Sequence, residues 1–267
     1  MKLNILEKKI TNLFLKMKIK KGDTLFIHSD LNAVFRKFNI SLRDSMDITY
    51  RCLQKCLGPK GTIVVPAYYY EYGSNNKCFD LRKSPISKDL GLFSKFIFSK
   101  SNSVRSLNPL TSVVALGYNA KIICNTKTCS GYGVDSPFDV LTKLDAKMIF
   151  LGVDLSYMTY VHYVEFMVGV PHRYNKFFLK PIIKNDKKIN LPVTSQVRYN
   201  KVVSDSVGNN KKFEKAKLVK KVVFLNDFLR VVKFRDAFKF LKNKLQKNFF
   251  YLLKNKPNFD KNKTPMV

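Results

Sequence analysis

A histidine and a carboxylate, His162 and Glu165, stand three residues apart in the segment Thr159-Tyr160-Val161-His162-Tyr163-Val164-Glu165. On a helix that spacing puts both side chains on one face. A carboxylate beside an imidazole orients the ring and raises its basicity, which suits a general base working near neutral pH. The spacing is also common on ordinary helices, and a di-iron centre would need a second such pair with further glutamates. His28 closes an apolar run and leads into Ser29-Asp30-Leu31-Asn32. Open α/β sheets bind ligands beyond the carboxyl ends of their strands, although a histidine that only caps a strand reads the same way. Arg105-Ser106-Leu107-Asn108-Pro109-Leu110-Thr111-Ser112 combines a rigid turn, hydroxyls and an arginine, a composition that fits a phosphate and an ordinary loop equally. Ser136 before Pro137 marks a helix N-terminus, a second place where an anion is favoured. His172, in Val170-Pro171-His172-Arg173, reads as a turn residue. The phosphate loop G-x-x-x-x-G-K-S/T, the dinucleotide turn G-x-G-x-x-G after a strand and the hydrolase elbow G-x-S-x-G are all missing, so those three chemistries lose their usual support.

Leu3, Leu6, Ile10, Leu13, Phe14 and Met17 recur at helical spacing and predict an opening amphipathic helix that ends near Lys21-Gly22. Thr24–His28 and Thr62–Val65 read as strands covered on both faces. Between them Ile40, Ser41 and Asp44 form a staple and cap for a helix running to Leu57, completing a β-α-β unit. Ser112–Leu116 and Lys147–Val153 extend the series as strands, with helices near Leu90–Phe98 and Pro137–Leu144. The expected fold is a single α/β domain over 1–267, a three-layer α/β/α sandwich around a mixed, mostly buried sheet. Residues 1–175 form its core, 176–210 a small antiparallel strand-rich appendage, 211–255 basic C-terminal helices and 256–267 a frayed tail.

With 267 residues and 45% hydrophobic content the chain can bury a core without staples. Its formal charge of +30 directs attention to anionic partners, yet 40 of the 49 basic residues are Lys, which a compositional bias would also produce. Scarce Arg argues against sequence-specific nucleic-acid binding, while a weak contact between the basic tail and an anionic membrane surface stays open. Five cysteines without C-x-x-C spacing and three histidines suggest a reducing compartment and no structural metal. Glu7, Lys8 and Lys9 interrupt any export signal and the longest apolar run, Met148–Val153, is too short to span a bilayer, so a cytoplasmic location is expected.

In order along the chain, Gly22–Ser29, Gly58–Pro66, Arg105-Ser106 with Pro109 and Ser112, Tyr132-Gly133 with Ser136-Pro137, Leu151–Val153, and Thr159 with His162 and Glu165 resemble the aminoglycoside 3-N-acetyltransferase family. The likeness is good over roughly residues 20 to 175 and looser beyond. It implies acetyl transfer from acetyl-CoA to the primary amine of a sugar by direct attack on the thioester. His162 becomes the base, Glu165 its partner and Thr159 a supporting group. His28, Ser29, Arg105, Ser106, Ser112 and Ser136 become the cofactor-binding set. Asn108 replaces a histidine of the family pattern R-S-x-H-P, and Asp30 replaces the second serine of H-S-S. A polycationic drug is repelled by a +30 chain over a Debye length of about 8 Å, so charge favours a nucleotide- or lipid-linked amino sugar of surface-glycan synthesis. Aminoglycoside resistance is the alternative, and a catalytically lapsed homologue that binds an anionic surface or nucleic acid is a second one.

Overall fold

The computed structural model describes residues 2–32, 36, 38–75, 77–126, 128, 130–224 and 227–257. Its strands are Thr24–Ser29 (β1), Thr62–Pro66 (β2), Phe79–Asp80 (β3), Val104–Arg105 (β4), Val113–Gly117 (β5), Lys147–Leu151 (β6), Arg173–Phe178 (β7), Ile182–Lys184 (β8), Lys187–Ile189 (β9), Val193–Arg198 (β10), Lys220–Phe224 (β11) and Asp227–Lys233 (β12). Seven of them form one sheet in the order β11-β12-β6-β1-β2-β5-β4. β6, β1 and β2 run parallel, and antiparallel strands flank them on both sides. The sheet is therefore mixed, as its sequence pattern implies.

Alternation along β1 separates two apolar cores. Leu25 and Ile27 face the helices Lys2–Lys16, Leu42–Leu57 and Leu92–Phe98, whereas Phe26 faces Pro137–Lys143, Tyr160–Val168 and Phe234–Lys247. The three-layer sandwich follows directly, because both faces of the sheet must be covered. Ser41 caps the helix Leu42–Leu57 by accepting the Asp44 amide at 3.0 Å, as its position before Asp44 predicts. At Gly152 the chain takes φ +71 where it leaves β6, and a Cβ there would lie 2.3 Å from the Asp30 carbonyl oxygen. Only glycine lets the loops after β1 and β6 approach so closely.

The C-terminal third departs from expectation. β11 and β12 pair antiparallel and join the main sheet beside β6, and Phe234–Lys247 is the long helix that follows β12. Val222-Val223 and Val231-Val232 supply the β-branched surface this needs. The segment expected to be basic helices is therefore helical only in part, because those pairs serve two faces of a ribbon. The core is thus not confined to 1–175, since a strand from the last fifth of the chain completes it. The antiparallel appendage starts at Arg173, earlier than expected, as the pair β7–β10, with β3, β8 and β9 in a separate small sheet. Helix Ser206–Lys215 begins inside the stretch assigned to strands. Most of the tail expected to fray, residues 258–267, lies outside the described residues. Among the described residues, no helix is long and apolar enough to cross a membrane.

Candidate active site

β6 delivers the chain to Gly152, and a short 3₁₀ turn, Leu155–Tyr157, redirects it into the helix Tyr160–Val168. The helix thus starts just past the carboxyl end of β6, the region where ligand sites of such sheets lie. His162 and Glu165 share its inward face, with Nδ1 of the imidazole 2.7 Å from Oε2 of the carboxylate. Glu165 is 1% exposed yet charged, which requires partners. It has three: His162, His172 Nε2 at 3.1 Å and Arg173 Nε at 2.8 Å. Burial alone would raise the Glu165 carboxyl, but the two histidines within hydrogen-bond distance and the charge of Arg173 hold it far below the usual carboxylate range. Burial, reinforced by Arg173, lowers His162 from its ordinary 6.5, and Glu165 opposes them only in part. The imidazole is therefore neutral at neutral pH, the form a base requires.

Thr159 precedes the helix and accepts a hydrogen bond from the Tyr68 hydroxyl at 2.8 Å, as a supporting residue would. Edge-on contact from Tyr132, ring centre to ring centre 6.0 Å, confines the imidazole further. The space beside His162 is a cavity of about 1120 Å³ whose walls include Tyr68, Thr159, Arg173 and Arg198. A second cavity of about 330 Å³, lined by Ser29, Asp30 and Gly91, meets it at His28, Asp89, Leu90 and Tyr157. Two adjoining chambers with the dyad in the wall of the larger one can hold two reactants side by side. Among the described residues no group of three His, Cys, Asp or Glu side chains is arranged to hold a metal ion.

The predicted site residues divide into two sets. His162, Glu165 and Thr159 come together, and His28 and Ser29 line the adjoining space. His28 is stacked on Phe150 at 5.3 Å, and burial pushes it down to about 3, so the ring is neutral. Its Nε2 is enclosed without a hydrogen-bond partner among the described residues. Arg105, Ser106, Ser112 and Ser136 line neither of these two cavities. Arg105 is buried between the rings of Phe79 and Phe98 and donates to the carbonyls of Ser84 and Ala67. Ser112 also donates to Ala67, Ser106 accepts the Val113 amide at 2.9 Å, and Ser136 caps the helix Pro137–Lys143. Through the Ala67 carbonyl this cluster braces the segment that leads to Tyr68. Asn108 donates to the Thr194 carbonyl on β10 at 2.9 Å, and Asp30 lines the smaller cavity. His172 and Arg173, read in the sequence as a turn, are the residues missed. Arg173 opens β7, which pairs with β10, and no local pattern announces that they meet Glu165.

The sequence matches the profile of the aminoglycoside 3-N-acetyltransferases over residues 26–246. It is 28% identical over 158 residues to an aminoglycoside N(3)-acetyltransferase IV of Salmonella sp, a match covering 59% of this chain and 58% of that protein's length. By fold it is similar to the crystal structure of the aminoglycoside acetyltransferase AAC(3)-IVa apoenzyme, with TM-score 0.74 and 22% identity over 92% of this chain and 90% of the other. It is equally similar to AAC-IIIb in its binary complex with CoASH, with TM-score 0.77 and 19% identity over 94% and 98% of the two chains. Members of this kind are N-acetyltransferases that draw on acetyl-CoA. The likenesses favour the drug-modifying alternative and give no support to the glycan-synthesis acceptor that net charge had suggested.

Proposed function

The chain belongs to the aminoglycoside 3-N-acetyltransferase family, and from that premise we propose that it transfers acetyl from acetyl-CoA to a primary amine of an aminoglycoside-type amino sugar. The observation that carries this reading is the His162–Glu165 pair, 2.7 Å apart, in the wall of a cavity that opens onto a second one. The fit to a long, partly polar co-substrate rests on two features. His28, whose buried Nε2 has no hydrogen-bond partner among the described residues, stands where the two cavities meet, and Ser29 lines the smaller one beside it. Ser29 and the His28 ring would hold the donor there, and when bound it supplies an acetyl group activated as a thioester.

His162 takes up the proton that the amine sheds as it attacks, using Nε2 while Nδ1–H donates to Glu165. The buried carboxylate steadies the imidazolium that results, and Arg173 and His172 keep that carboxylate ionised and in place. Asp89, at the junction of the two cavities, meets an ammonium elsewhere on the acceptor and turns the reacting amine toward His162. The test is release of free thiol from acetyl-CoA with kanamycin-like drugs and with nucleotide-linked amino sugars, each at low and moderate salt. Kanamycin-like amines should turn over, and faster as salt relieves their repulsion by a +30 chain. Absence of thiol release with every amine, from folded protein, sinks the enzymatic reading.

A further inference from the structure

Nδ1 of His162 has two neighbours that make opposite demands on it. Glu165 Oε2, 2.7 Å away, can only accept, so it asks Nδ1 for a proton. Arg173, on β7, directs a guanidinium N–H of its NH2 group at the same nitrogen from 2.8 Å and can only donate. An imidazole nitrogen offers one in-plane site, either a proton or a lone pair, and cannot answer both. The guanidinium hydrogens are fixed by the plane of that group, so its direction does not adapt. Arg173 cannot easily turn aside either. Its side chain is 5% exposed, its Nε lies 2.8 Å from Glu165 Oε2, and its NH1 donates to the Gln196 carbonyl at 3.3 Å. Nε makes an ion pair with that carboxylate but no well-aligned hydrogen bond, since its hydrogen points off the oxygen. The aligned contact of this guanidinium within the dyad is the one to His162.

We propose that Arg173 is a positioning residue that holds the His162 proton on Nε2 in the ligand-free protein and must be drawn off Nδ1 before His162 can act as a base. With Nδ1 accepting from Arg173, the proton of the neutral ring sits on Nε2, the nitrogen that has to receive the amine proton. Release needs another acceptor for the Arg173 NH2 group. Arg173 lines the larger cavity, and an amino sugar brings hydroxyl oxygens into it, a step that rests on the function proposed above. Once one of them takes the guanidinium N–H, Nδ1 can carry the proton and give it to Glu165, and Nε2 is freed. Binding of the acceptor thereby arms the base. The charged and titratable groups facing His162 are Glu165 on its own helix, Arg173 from β7, Arg198 from β10 and Tyr132 from the loop before Ser136. His172 touches the dyad through Glu165.

Ring-nitrogen chemical shifts of ¹⁵N-histidine-labelled full-length protein test this without reference to turnover. Ligand-free wild type should show His162 protonated on Nε2. Arg173→Met, which keeps length but removes the donor, should show it protonated on Nδ1, with the titration midpoint of the ring moved up because a neighbouring cation is gone. Arg173→Lys keeps the charge without the planar fork, guards against a fold lost by the apolar change, and should also move the proton to Nδ1. A wild-type ring protonated on Nδ1, or a Lys variant that keeps the wild-type pattern, overturns the proposal. Saturating CoA with kanamycin should move the wild-type proton to Nδ1. If that addition does nothing while both variants behave as stated, Arg173 governs the proton as proposed and the acceptor class is what fails. If the ligands move the proton equally in wild type and variants, the role assigned to Arg173 fails instead.

Discussion

Tyr68 donates its hydroxyl to Thr159 Oγ1 at 2.8 Å and so ties the chain just beyond β2 to the residue that opens the His162 helix. Tyr68 is 2% exposed, so its hydroxyl depends on that partner. Tyr68→Phe and Thr159→Val should each cost about 1 kcal/mol and lower the melting temperature by roughly 2–4 °C. The double variant should cost far less than the sum of the two, because one bond is lost in all three. Additive losses in a thermal double-mutant cycle would show that the bond contributes nothing.

His162→Ala should lower turnover by roughly 10²- to 10⁴-fold with little change in the apparent KM for acetyl-CoA. The acid limb of the pH–rate profile should lie below the ordinary histidine value of 6.5, because burial and Arg173 both lower the group. Glu165→Gln is a harsher change than its isosteric shape suggests. Arg173 loses its counter-charge in a buried site, and unpairing such a charge costs about 3–5 kcal/mol. Denaturant unfolding should therefore show Glu165→Gln far less stable than His162→Ala. Equal stability of the two would mean the carboxylate is not the hub of the cluster.

His28 makes the fold sensitive to mild acid. Its folded value, about 3, lies below the unfolded 6.5, so between those limits the unfolded chain holds more protons and stability falls with falling pH. At pH 5 the loss from this one group is about 2 kcal/mol. His28→Phe keeps a ring against Phe150 and removes the titration, so the variant should lose less stability than wild type between pH 7.5 and pH 5. Identical losses in urea titrations at the two pH values would rule out a buried neutral His28.

Arg105→Lys distinguishes a scaffold from a phosphate clamp. Lysine cannot span the Ser84 and Ala67 carbonyls with a planar fork, so the variant should melt lower while its KM for acetyl-CoA stays within about twofold of wild type. A raised KM at unchanged melting temperature is the result that restores Arg105 to the cofactor.

What the sequence reveals here is whatever local chemistry encodes. The alternation of Leu25, Phe26 and Ile27, the cap at Ser41, and the three-residue step from His162 to Glu165 are all properties of neighbouring residues, and each is found where its pattern places it. Arg105 is opaque by comparison, because a cation in a hydroxyl-rich turn looks the same whether phosphate or main-chain carbonyls receive it. His172 and Arg173 are opaque for a different reason. Their partner Glu165 is near in sequence, but the strand pairing that aims them at it is set by β10, more distant along the chain. Val222-Val223 and Val231-Val232 are opaque as well, because β-branched pairs also fit a helix face until their partner strand is known.

The place of β12 in the sheet bears on how the protein is made. During synthesis β6 can settle against β1, but its other edge has no neighbour until Asp227–Lys233 leaves the ribosome, well after the His162 helix has emerged. In that interval the apolar strand Met148–Leu151 is an open template for any other extended chain. A nascent chain stalled or cut short before β12 would carry both His162 and Glu165 and still be a substrate for aggregation or for chaperones.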